Sequence, residues 1–197
     1  LGIILSIISV VLLSLSSNYM AGFLLTFTIL FYVIVYTIWL KRKTVYNIVI
    51  GGAAGALPPL IGWVSVTNEI NIYPIILFFI IFIWTPPHFW SLSLYISEDY
   101  KKARIPMLPV IVGKEKTINS IIKYSYYLFF TSLTPYFFNV AGRLYLFFGV
   151  ILGVSFIFFS YSLKNYQVKK AKNLFKYSIF YLFILYLVML LDKFIYF

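Results

Sequence analysis

Apolar residues run along this chain in long unbroken stretches, without the period-two alternation of a barrel strand. A bilayer-spanning helix needs about 20 mostly apolar residues. Seven stretches meet or approach that length: 1–15, 20–40, 45–66, 72–97, 118–140, 144–163 and 177–196. The pattern therefore predicts an all-α, polytopic transmembrane bundle, read as one domain over 1–197. No internal repeat and no low-complexity linker divides it.

Charge gives these spans an orientation. With the loop Lys41-Arg42-Lys43 on the cytoplasmic side, alternation puts 98–117 and 164–176 there too. All 16 Lys and Arg then lie on that side or at its helix ends, except Arg143 and Lys193. The opposite loops 16–19 and 67–71 carry neither. Such a bias follows the positive-inside rule. It also accounts for the formal charge of +11 without a nucleic-acid partner. Composition agrees: 62% of the 197 residues are hydrophobic and only 11% charged, against roughly a quarter charged in soluble domains. There is no cysteine, which excludes disulfides and thiol chemistry. Position 1 is Leu within an apolar run, which is no signal peptide; the expectation is a chain cut at its N-terminus.

Exceptions to apolarity mark where chemistry could sit. The first is Gly51-Gly52-Ala53-Ala54-Gly55-Ala56-Leu57-Pro58-Pro59. Its small-xxx-small pairs admit a close neighbour, and its prolines are expected to break the helix. Tight packing at a kink is the plainer reading. The second is Trp84-Thr85-Pro86-Pro87-His88-Phe89-Trp90, with the only histidine. Two prolines are expected to break this span at depth, where irregular backbone lines a cavity or is buried in protein. An ionisable group there is costly and usually faces a partner, although a lone histidine is more often a hydrogen-bonded core residue. The third is the loop 97–109, with Glu98 and Asp99 followed by Lys101, Lys102 and Arg104. Adjacent carboxylates can share Mg²⁺ with phosphates and the bases can bind the anion; a solvated charge cluster is the alternative. If one helix ran from His88 to Asp99, Tyr95 and Asp99 would each lie about 20° from His88 on the wheel. The rise would be about 16 Å, matching an amphiphile with a charged head and an apolar tail.

These stretches carry a resemblance. Tyr36-Thr37, Leu40-Lys41-Arg42, Thr44, Asn47 to Gly52, Gly55-Ala56, Pro58-Pro59 and Gly62-Trp63 come first. Trp84 to Trp90, Asp99-Tyr100, Ala103, Ile105 to Val110 and Gly113 follow. In order and spacing they resemble the heme O synthase (protoheme IX farnesyltransferase) branch of the UbiA-type intramembrane prenyltransferases. The resemblance covers about 36–117; beyond it only helix number agrees. It implies Mg²⁺-dependent transfer of farnesyl from farnesyl diphosphate to a vinyl group of heme b, a substrate here rather than a cofactor. Asp99 and Glu98 are the implied catalytic and metal-binding carboxylates. Lys41, Arg42, Lys101 and Lys102 would hold the diphosphate. His88, Trp84, Tyr95, Asn47, Gly51 and Gly55 would form the acceptor pocket. Aromatic faces at Trp84, Phe89, Trp90 and Tyr95 could shield an allylic cation. The implied setting is a bacterial inner membrane, with the mitochondrial inner membrane as alternative, and heme A synthase or a terminal oxidase as assembly partner.

The resemblance also has departures. The family has nine helices and an Asn/Asp-rich first motif between helices 2 and 3; seven spans are expected here, and the first acid, Glu69, lies on the outer side. Ala103 stands where another acid is expected. The isolated chain is therefore expected to be inactive. Prenylation of an aromatic acid or quinone precursor, a transporter, and an inactive remnant are the competing readings. Magnesium-dependent diphosphate release separates enzyme from transporter, and the acceptor used separates the two enzymes.

Overall fold

The computed structural model describes residues 1–196. Among them every regular element is helical, as the apolar pattern predicts. The chain forms two compact units, Leu1–Phe82 and a second that begins at Ile83.

In the first unit, α1 (Gly2–Ser16) turns into α2 (Tyr19–Leu30) through Asn18. The Asn18 carboxamide oxygen accepts from the Ala21 amide at 2.8 Å, a helix N-cap. Its nitrogen donates to the Val64 carbonyl at 2.8 Å, and the Ser17 hydroxyl donates to the Ser65 carbonyl. One short turn thus ties the end of α1 to the end of α4 (Pro58–Thr67), and the two loops expected on the outer side do lie at one end. Gly22 leaves no room for a Cβ beside Ser14, so small residues set the α1–α2 approach.

α2 continues without interruption into a π-helical segment, Phe31–Leu40. Its wider turn is closed by backbone bonds five residues apart, as from Lys41 N–H to the Tyr36 carbonyl at 2.8 Å, and the Thr37 hydroxyl also donates to the Tyr32 carbonyl at 2.9 Å. Such geometry is rare beyond a single turn and concentrates at functional sites. α3 (Asn47–Ala56) follows, and Leu57 separates it from α4. The expected break at Pro58-Pro59 is present: Pro58 takes the first position of α4, where a missing N–H costs nothing.

α5 (Ile72–Tyr95) corrects two expectations. Pro86 and Pro87 sit inside it without ending it. They remove the bonds to the carbonyls of Phe82 and Ile83, and the division between units falls at those residues. Both prolines are buried, and surrounding protein holds the helix through the gap. The helix also stops before Asp99. Ile96, at φ −112° and ψ 28°, separates α5 from α6 (Ser97–Lys102), so the stripe reaches Tyr95 but not Asp99.

After a four-residue α7 (Leu108–Ile111), the second unit packs α8 (Lys114–Phe137), α9 (Arg143–Ser162) and α10 (Val168–Tyr196) as sequential neighbours. Gly149 and Gly153 bring α9 against α8; a Cβ on Gly153 would meet the Phe129 ring at 2.5 Å. Tyr145 is fully buried and its hydroxyl donates to the Ser132 carbonyl at 2.6 Å. Asp192 of α10, also fully buried, accepts from the Gly142 amide and from the Tyr145 amide at 3.3 Å. It caps α9 from a neighbouring helix and satisfies amides left orphaned at the helix start.

Among the described residues, five helices are long and apolar enough to cross a bilayer: Tyr19–Leu40, Asn47–Thr67, Ile72–Tyr95, Arg143–Ser162 and Val168–Ile195. α1, at 15 residues, is shorter. α8 carries Lys114, Glu115, Lys116 and Lys123 and is more polar. α10 starts well before the expected 177 because its Lys-rich first turns are helical.

Two stability outcomes are expected. Asp192→Ala strands the α9 amides and should cost roughly 2 kcal/mol, the upper range for a lost cap. Gly153→Leu should force α8 and α9 apart by at least as much. Thermal unfolding in detergent checks both. Melting temperatures equal to the parent's would refute the respective contact's importance.

Candidate active site

In the first unit the basic loop is organised from within. Asn47 is buried, and its side-chain nitrogen donates to the Thr44 carbonyl at 2.7 Å and the Lys41 carbonyl at 3.4 Å. The Thr44 hydroxyl accepts from the Tyr46 amide at 3.2 Å. These bonds fold Lys41-Arg42-Lys43 into a tight turn with Arg42 and Lys43 exposed and Lys41 half-buried. Asn47 thus shapes the cationic loop, a role its placement in an acceptor pocket had not anticipated. Gly51 is occupied from its own unit, because the Tyr36 ring fills the space a Cβ would need. Gly55 faces open space.

In the second unit the residues around His88 form a stacked cluster. The Trp84 ring lies 4.1 Å from the imidazole, 19° from parallel, and Phe175 stacks at 4.7 Å. His88 Nδ1 lies 2.6 Å from the Ser178 hydroxyl, which donates to the Phe175 carbonyl at 2.6 Å. The Ser178 hydroxyl thus bridges the imidazole and the backbone of its own helix. Trp84 Nε1 donates to the Ser178 carbonyl at 2.8 Å. One residue of α10 therefore orients both rings. Tyr95 meets Phe175 edge-on at 6.1 Å, and Lys172 lies 5.5 Å from the Tyr95 ring centroid. Trp84, His88 and Tyr95 all contact one aromatic cluster around Phe175, and Tyr95 lies on the His88 face that the helix wheel predicts.

Glu98 and Asp99 occupy the first turn of α6, and Lys101 and Lys102 its last. All four are exposed. Acids at the start and bases at the end suit the helix dipole. Tyr100, between them, is half-buried; burial pushes its hydroxyl above the usual range and the nearby Tyr95 adds to this. Among the described residues, no group of three or more His, Cys, Asp or Glu is placed to hold a metal. Two adjacent exposed carboxylates fit a hydrated Mg²⁺ that takes its other ligands from water and phosphate, not a closed protein cage.

The first unit thus carries a cationic turn, and the second carries exposed carboxylates and a largely half-buried aromatic cluster around the buried His88. The model of the UbiA prenyltransferase family matches residues 1–187, and the chain belongs to that family. It is 48% identical over 190 residues to a protoheme IX farnesyltransferase of Rickettsia bellii (strain OSU 85-389), covering 95% of this chain and 63% of the relative. It is 49% identical over 197 residues to the protoheme IX farnesyltransferase of Pelagibacter ubique (strain HTCC1062), covering 98% of this chain and 65% of the relative. The chain thus spans a little under two thirds of these relatives. A solved structure of a digeranylgeranylglyceryl phosphate synthase shares the fold, with a TM-score of 0.80 at 22% identity over 96% of this chain and 66% of that one.

His88→Ala should leave a gap between Trp84 and Phe175 and destabilise the second unit by about 2 kcal/mol, the low end for large-to-small core changes. Ser178→Ala should cost about 1 kcal/mol, the worth of a typical hydrogen bond. Tryptophan emission during thermal unfolding reads both. An unshifted midpoint for His88→Ala means the ring is not part of the packing.

Proposed function

We propose that this protein transfers the farnesyl group of farnesyl diphosphate to a vinyl group of heme b, giving heme O. The observation that carries this reading is the identity of 48–49% to relatives named protoheme IX farnesyltransferase, running over nearly the whole chain. The setting is a bacterial plasma membrane, where a terminal oxidase or heme A synthase would receive the product.

Chemically, the allylic C–O bond breaks and its electron pair leaves with the diphosphate. The vinyl π electrons form the new C–C bond, and water adds to the resulting cation and loses a proton. Glu98 and Asp99 are assigned to the diphosphate through Mg²⁺, which when bound neutralises the developing negative charge. Lys101 and Lys102 supply further cationic contacts on the same short helix. Lys41 and Arg42, presented by the Asn47-supported turn, are assigned the same phosphate-binding chemistry. Arg42 suits paired oxygens and Lys41 a point contact. The aromatic faces of Trp84 and Tyr95 are assigned to the acceptor end, where they can face positive charge without reacting as a base would. His88 holds that wall in place through its stacking and its Ser178 bond.

The experiment supplies the full-length protein, in proteoliposomes, with farnesyl diphosphate, Mg²⁺ and either heme b or an aromatic acid. Heme O is expected from the first acceptor and no product from the second; the reverse result would overturn the assignment. Asp99→Asn removes charge while nearly keeping shape, so it should raise the Mg²⁺ concentration for half-maximal rate by about tenfold, equivalent to ~1.4 kcal/mol. An unchanged Mg²⁺ curve would remove Asp99 from metal handling.

A further inference from the structure

The second unit contains a cleft that the proposed reaction does not use. It measures about 500 Å³ and is lined by Lys114, Glu115, Ile118 and Asn119 of α8, and by Lys164 and Tyr166 from the α9–α10 connection. Its parts are held in place. The Tyr166 hydroxyl donates to the Leu94 carbonyl at 2.9 Å, fixing the ring at the end of α5. Lys114 Nζ lies 4.6 Å from the Tyr166 ring centroid, and Lys164 Nζ lies 5.0 Å from that of Tyr161. Among the described residues, neither lysine has a carboxylate within ion-pairing distance. Two ammonium groups thus sit on aromatic faces at one cleft with their anion-binding capacity unspent.

We propose that this cleft binds the phosphate of an anionic membrane lipid. Its floor is Ile118, only 5% exposed, while its rim is cationic and amide-bearing. That gradient suits a headgroup whose glycerol end continues into hydrocarbon. Tyr161, the ring that Lys164 covers, is exposed, and its hydroxyl lies 3.1 Å from that of the exposed Tyr126 farther along α8. Tyrosines with apolar rings and polar tips collect at the membrane–water boundary, and lysine stems lie along apolar surface while the charge stays at the interface. Two lysines against Glu115 leave the cleft with net positive charge, complementary to one phosphodiester. A ligand there bridges the start of α8 and the connection into α10, and through Tyr166 it touches the end of α5.

The test reconstitutes the full chain in nanodiscs of mixed phosphatidylglycerol and phosphatidylcholine and counts retained lipids by native mass spectrometry. Each direct contact between a cleft lysine and the phosphate is a charge-assisted hydrogen bond, worth at least about fivefold in affinity. Lys114→Gln with Lys164→Gln should therefore lower phosphatidylglycerol retention by at least about thirtyfold. Glu115→Gln should raise retention, an opposite sign that a misfolded variant would not give. Lys169→Gln with Lys170→Gln removes the same charge outside the cleft and should change little. An equal loss in that control would overturn the site in favour of general surface charge. Displacement of the lipid by inorganic diphosphate at equal concentration would also overturn it, in favour of a soluble phosphate.

Discussion

Hydrocarbon offers no hydrogen bonds, so polar groups on these helices must be satisfied within the protein. The hydroxyls show how thoroughly this is done. Ser14, Thr26, Thr28, Ser125, Ser132 and Ser160 each donate to a carbonyl three or four residues earlier on their own helix. A hydroxyl spent in this way costs little in an apolar medium and leaves a small, smooth surface for packing. Asn18, Asn47 and Asp192 perform the harder version. Each satisfies backbone groups where a helix starts or a loop turns, and each thereby fixes where a neighbouring element lies. The indole N–H groups of Trp63 and Trp90 stand apart: both are buried and find no acceptor among the described residues.

The same constraint explains which features were legible in sequence. Helix positions were, because unbroken apolar runs of membrane length have one main outcome. The two Pro-Pro pairs were not equally readable. Pro58-Pro59 follows Gly51, Gly52 and Gly55, residues that already weaken a helix, and the chain divides at Leu57. Pro86-Pro87 follows a run of Phe, Ile and Trp and is buried, so packing carries the helix across the missing donors. The proline pair is the same in the two places, and the residues before it together with its burial decide the outcome. Asp192 was not among the residues singled out in the sequence. The usable signal was its position within an otherwise apolar run, which demands a partner.

For the candidate site, which charged residues face water was more legible than what the others touch. Arg42, Glu98, Asp99, Lys101 and Lys102 are exposed and Lys41 is half-buried. Asn47 and Gly51 turned inward instead, one to loop carbonyls and one to Tyr36. Periodicity cannot reveal this, since it gives the face of a helix but not the neighbour that fills it. The stripe from His88 to Tyr95 survives because it lies within α5, whereas Asp99 was assigned to it across the break at Ile96.

That break gives the second unit two kinds of order. Before Ile96, the aromatic cluster is interlocked: His88 stacks against two rings and bonds to Ser178, whose carbonyl also accepts from Trp84. Beyond it, the carboxylates sit on a six-residue helix that begins at a non-helical residue and ends near Arg104 at φ 53°. A short exposed helix has few buried contacts to resist local opening. A diphosphate and its metal need ligands that can close around them, while a reactive cation needs walls that do not move. Under the proposed reaction, the separation at Ile96 would let adjacent segments of one chain meet both requirements, whereas a helix continuous from His88 to Asp99 would have coupled them.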